Sequence, residues 1–95
     1  MLERDIEKKL TRLVKGLGGL CYKFISPGND GVPDRIIITP KGAVWFVELK
    51  TETGRLSPRQ RLQIDRLSGH NCNVVTVYGW EDAERTIRTV FDREI

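Results

Sequence analysis

Apolar positions along the chain change their period several times, and each change marks an element. In residues 2–17, Leu2, Ile6, Leu10, Leu13, Val14 and Leu17 recur at helical spacing, and Gly16, Gly18 and Gly19 supply the stop. Residues 20–25, LCYKFI, read as a first strand in which Tyr22 and Phe24 alternate with Lys23. Residues 35–39, RIIIT, are β-branched and apolar and give a second strand. Pro40-Lys41-Gly42 is a turn, and residues 44–50, VWFVELK, form a third strand that closes a hairpin. Ser57-Pro58 is an N-cap followed by proline at the first helical position, so a second helix runs to about Ser68 and stops at Gly69. Residues 73–78, NVVTVY, form a last strand, which Gly79 breaks. A third helix then runs from Glu81 to about Phe91, with Ala83, Ile87, Val90 and Phe91 inward and Arg85, Arg88 and Arg93 on a solvated face.

The order is αβββαβα. The strand–helix–strand unit needs a crossover and therefore a parallel pair, whereas the hairpin is antiparallel. This predicts an α/β fold with a small mixed sheet flanked by helices. With 95 residues and no repeat, linker or low-complexity tract, the expectation is a single domain over residues 1–95.

Composition narrows the function classes. Hydrophobic residues are 39% and charged residues 31%, as in a soluble globular protein. No apolar run is long enough to span a membrane, and the charged, amphipathic N-terminus lacks the apolar core of a signal peptide. A cytoplasmic location is expected. The net charge of +3 suits a polyanionic partner without requiring one. Cys21 reads as a buried small hydrophobe and Cys72 follows a turn, with neither a disulfide nor zinc-type spacing implied. His70 lies in a Gly-His-Asn loop and reads as solvated.

The candidate chemistry gathers around residues 31–50. The hairpin brings Asp34, ahead of one strand, towards Glu48 and Lys50 near the end of the other. Glu48 and Lys50 are two apart and share a face. Two acids and a lysine beside a packed sheet are costly unless something pairs them, and a divalent cation such as Mg²⁺ or Mn²⁺ suits hard carboxylate ligands. The plain alternative is a Glu48–Lys50 salt bridge with Asp34 ending a turn. In the first helix Glu3 falls within the apolar arc and Glu7 at its edge, so Glu3 is the better candidate to reach the acids and Glu7 the reserve; both also suit a helix N-terminus without further function. Gln60 shares a face with Ile64 and Leu67 and could orient the site or make a simple capping or core hydrogen bond; Gln63 is the second choice. Residues 26–31, SPGNDG, form either a plain turn or a flexible loop that lets a phosphate approach.

Pro33-Asp34 followed by Glu48-Leu49-Lys50 resembles the P-D…(D/E)-x-K signature of the restriction-endonuclease-like nucleases, whose core has this order of elements. The finer pattern is Glu3 in the first helix, Gly31-Val32-Pro33-Asp34, Val47-Glu48-Leu49-Lys50 and Leu56-Ser57-Pro58-Arg59-Gln60. It resembles the VRR-NUC family over about residues 2–90. The resemblance implies a Mg²⁺- or Mn²⁺-dependent DNA endonuclease of a bacterial or phage-infected cell. It also implies likeness to small stand-alone members that act on Holliday junctions as homodimers. Asp34, Glu48 and the Leu49 backbone carbonyl would then hold the metal, with Glu3 near a second ion or metal-bound water.

For Lys50, the two acids favour an ammonium, and hence an electrostatic and orienting role. Gln60 would orient the site. Lys23, Arg35, Arg55, Arg59 and Arg61 become candidates for phosphate contacts, and Ser26 and Asn29 for contacts from the loop. No element is suited to reading base edges, so branched DNA such as a four-way junction or flap fits better than a specific sequence. Two other readings remain: a general or restriction-type nuclease, which would cut plain duplex, and a non-catalytic DNA-binding or assembly module, which would bind without cutting.

Overall fold

The computed structural model describes residues 1–94. Its elements are α1 (Glu3–Gly16), β1 (Leu20–Lys23), β2 (Arg35–Ile38), β3 (Val44–Lys50), α2 (Pro58–Gly69), β4 (Asn73–Tyr78) and α3 (Gly79–Asp92). The sheet order is β1-β2-β3-β4, with β1, β2 and β3 antiparallel in sequence and β3 parallel to β4. The αβββαβα order and the mixed sheet are those expected.

Strand periodicity divides the sheet into two faces. Cys21, Ile37 and Trp45 lie in register on one face, which continues through Val47, Leu49, Val75 and Val77. The apolar stripes of α1 (Ile6, Leu10, Val14) and α3 (Ala83, Ile87, Phe91) close over this face, and no core residue is more than 7% exposed. The other face carries Leu20, Tyr22, Ile36, Ile38, Val44 and Phe46, then Glu48 and Lys50. Helix α2 packs against β4, and none of its residues is fully buried.

Three boundaries differ from expectation. β1 ends at Lys23, and Ile25 is 69% exposed. Tyr22 lies on the open face, so its alternation with Lys23 buries neither side chain. β2 ends at Ile38, because Thr39 leaves the strand to build the turn: its amide donates to the Ala43 carbonyl at 2.9 Å and its hydroxyl accepts from the Ala43 amide at 3.0 Å. Helix α3 starts at Gly79 itself. Gly79 has φ +82°, a left-handed backbone that favours glycine, and it turns the chain straight from strand into helix. Cys21 is half-buried beside the Thr11 hydroxyl, less enclosed than expected.

Candidate functional site

β2 and β3 pair only from Arg35–Val47 to Ile38–Val44. Past Arg35 the strands part, while β3 continues alongside β4 through Glu48, Leu49 and Lys50. Parting leaves the Leu49 amide without a strand partner on that side, and the Asp34 carboxylate accepts it at 3.1 Å. Asp34 is itself tied to β1, because its carbonyl accepts from the Phe24 amide at 2.8 Å. Pro33, buried, precedes it.

Gly31 holds this segment against α2. Its φ is +90°, and a Cβ would sit 2.6 Å from the Arg59 carbonyl carbon. The Gln63 side chain adds a hydrogen bond to the Asp30 carbonyl at 3.3 Å. The loop ahead of Asp34 is therefore docked on the first turns of α2. Ser26 and Asn29 bond to each other, side chain to side chain at 2.9 Å.

Glu48 is the unusual group. It is 1% exposed, and only one of its oxygens is satisfied. Oε2 accepts from the Gln60 amide at 3.1 Å and faces the Lys50 ammonium at 3.7 Å. Oε1 is buried without a partner. Burial and then the Asp34 charge push the Glu48 carboxyl up to about 8, against the opposing pull of Lys50. Gln60 makes two bonds. Its Oε1 accepts from the Ser57 amide at 2.9 Å in a capping box, while its Nε2 reaches Glu48.

Helix α1 supplies the remaining acids. One oxygen each from Glu3, Glu7 and Asp34 lie within 4.8 Å of one another. Burial, then Asp34 and Glu7, raise the Glu3 pKa, with Lys50 opposing. Glu7 is paired with Arg35 at 3.4 Å, whereas among the described residues Glu3 and Asp34 have no cation at ion-pair distance.

Thus Glu3, Glu7, Asp34, Glu48, Lys50 and Gln60 converge on one fork. Arg35 belongs to its α1 side, held in the ion pair. Lys23, Arg55, Arg59 and Arg61 are exposed. The Glu7–Arg35 pair and the Gly31 docking contact have no short-range signature, since each joins elements far apart in sequence.

The profile of the VRR-NUC domain family matches residues 4–81. A protein named "Putative nuclease p44", from Acyrthosiphon pisum secondary endosymbiont phage 1, is 45% identical over 65 residues, which are 68% of this chain and 70% of that protein. A solved structure titled "VRR_NUC domain" matches with TM-score 0.84 and 31% identity over 90% of this chain and 94% of its own. A second, "VRR_NUC domain protein", has TM-score 0.76 over 94% of this chain and 87% of its own; at 17% identity it speaks for the fold alone.

Proposed function

The chain belongs to the VRR-NUC family, and from that premise we propose that residues 1–95 act as one Mg²⁺- or Mn²⁺-dependent DNA endonuclease domain centred on the fork. The observation that carries the reading is Glu48 Oε1, a buried carboxylate oxygen with no partner, on a side chain that feels the charges of Asp34 and Glu3. Leaving such an oxygen unsatisfied is costly, and the surrounding donors are hard oxygens that suit a divalent cation.

Asp34, Glu48 and the Leu49 carbonyl would hold the ion, with Glu3 nearest to a second ion or an ordered water and Glu7 behind it. When bound, such an ion acidifies a water and offsets charge on the phosphate. Lys50 orients the attacking water and stabilises charge developing on the phosphoryl oxygens. Gln60 fixes the rotamer of Glu48. The water oxygen bonds to phosphorus, the bridging P–O bond breaks, and the leaving oxygen gains a proton. Lys23, Ser26, Asn29, Arg55, Arg59 and Arg61 would serve as phosphate contacts, and Arg35 would contribute through Glu7.

The preferred substrate is branched DNA, cut by a two-fold homodimer whose symmetry matches that of a four-way junction. Self-association is supported by the open sheet face, where Leu20, Tyr22 and Val44 are 49%, 54% and 41% exposed.

The test is cleavage of a labelled four-way junction, a flap and a linear duplex with Mg²⁺, Mn²⁺ or EDTA, using wild type and Asp34→Ala. Paired nicks in the junction, lost with EDTA and in the variant, are expected. Equal cutting of all three substrates would keep the metal site and remove the junction preference. Binding without cutting would leave a binding module, and normal cutting by Asp34→Ala would refute the site.

A further inference from the structure

Helix α1 carries acids towards the fork and cations away from it. Arg4, Lys8 and Arg12 follow one another at intervals of four, with Thr11 and Lys15 on the next row. Together with Glu7 and Arg35 they line an open groove of about 530 Å³. Its only carboxylate, Glu7, is already taken by Arg35. Among the described residues no carboxylate lies within ion-pair distance of Arg4, Lys8, Arg12 or Lys15. Arg35, which also lines the groove, has its Nε buried without a partner.

Helix α3 treats its arginines differently. Arg85 pairs with Asp82 at 3.0 Å and Arg88 with Glu84 at 3.2 Å. Next to the stripe on α1, Lys9 is placed over the Trp80 ring at 5.5 Å. The α1 stripe is thus a run of cations that the fold does not neutralise internally. It repels itself in the free protein and suits a polyanion.

We propose that this groove is a second nucleic-acid contact, in which a duplex arm leaving the fork lies along α1 with its phosphates held by Arg4, Lys8, Arg12 and Lys15. The inference rests on the nuclease reading and adds the direction in which the DNA runs. Glu7 belongs both to the acidic cluster and to the groove wall, so the two sites are continuous. From Arg4 to Lys15 the helix rises roughly 16 Å at about 1.5 Å per residue. That spans four or five phosphates of one strand at about 3.4 Å of duplex axis each. Long flexible cations on a helix surface contact phosphates without reading bases, so this contact positions the duplex and adds no sequence preference.

The test is fluorescence anisotropy of a short labelled duplex with the full chain, in EDTA to prevent cutting, between about 50 and 200 mM KCl. Wild type is compared with Arg4→Gln/Lys8→Gln/Arg12→Gln/Lys15→Gln and with Arg85→Gln/Arg88→Gln on α3. Glutamine keeps helix propensity at these exposed positions. The α1 variant is expected to bind at least about tenfold more weakly and to lose roughly 0.9 of salt slope per phosphate contact removed. The α3 variant is expected to match wild type. If the quadruple variant does not fold, the doubles Arg4→Gln/Lys8→Gln and Arg12→Gln/Lys15→Gln are each expected to show about half the loss of slope. Wild type that binds duplex, with α1 variants of the same affinity and slope, would overturn the groove and leave the nuclease reading standing. Wild type that neither binds nor cuts DNA would overturn both.

Discussion

Leu49 and Glu48 are neighbours on β3, 0% and 1% exposed, yet their surroundings are opposites. Leu49 faces α1 and α3 and meets hydrocarbon on that side of the sheet. Glu48 faces α2 with one oxygen bound by Gln60 and the other bound by nothing. Burial of Leu49 stabilises the fold by about 1.5–3 kcal/mol. Burial of Glu48 costs the fold, because a carboxylate is desolvated and only half repaid. Equal exposure therefore conceals two roles, and it is the pairing of polar atoms that separates the stabilising face from the reactive one.

The sharpest way to test that contrast is to change one face at a time. Glu48→Gln is expected to abolish cutting, a loss larger than the roughly 10–100-fold usual for a group that only supports a metal ligand. Its melting temperature should equal or exceed that of wild type, since a neutral amide can still serve Gln60. Leu49→Ala should do the reverse, losing about 2–5 kcal/mol of stability while the folded fraction still cuts. Thermal melts and single-turnover rates on the pair would decide it, and a Glu48→Gln protein that is strongly destabilised would break the distinction.

A smaller effect on both properties is expected from Gly31→Ala. The left-handed backbone and the 2.6 Å approach to Arg59 leave no room for a methyl group, so the loop must shift. The strain amounts to about 1–3 kcal/mol and displaces Asp34, three residues on. The rate should fall more than the affinity for DNA, as measured by kcat beside Kd.

The contrast also implies a pH slope. The Glu48 carboxyl is raised from 4.5 to about 8, so between those values the folded protein holds a proton that the unfolded chain releases. Stability in EDTA is then highest below pH 4.5 as far as this group is concerned, and it is lost as pH rises through about 8. Glu48→Gln should flatten that slope. Mg²⁺ requires the ionised carboxylate, so its stabilising effect should grow with pH. Melts across this range with and without Mg²⁺ would show whether it does.

Much of this architecture is legible in the chain because local and global signals agree. The period of Ile6, Leu10 and Val14, the Ser57-Pro58 cap and the strand of residues 73–78 each specify their element without outside help. Asp34, Glu48 and Lys50 meet because a hairpin and a two-residue spacing place them together. Gly79 was harder, since glycine after a strand signals a break equally whether a loop or a helix follows. Tyr22 misleads for a related reason. Its strand alternates as a half-buried strand should, but α2 packs at the β4 side of that face and leaves Leu20 and Tyr22 uncovered. The Glu7–Arg35 pair was not legible, because Arg35 comes from an element far along the chain.

Gln60 joins two processes that are usually separate. The side chain that closes the first turn of α2 also grips Glu48. Fraying of that turn, the commonest small opening in any helix, would release the carboxylate at the same moment. Amide exchange at Gln60, where the amide donates to the Ser57 hydroxyl, would then report how often the centre comes apart. The end of a helix would serve as the latch of the reactive carboxylate.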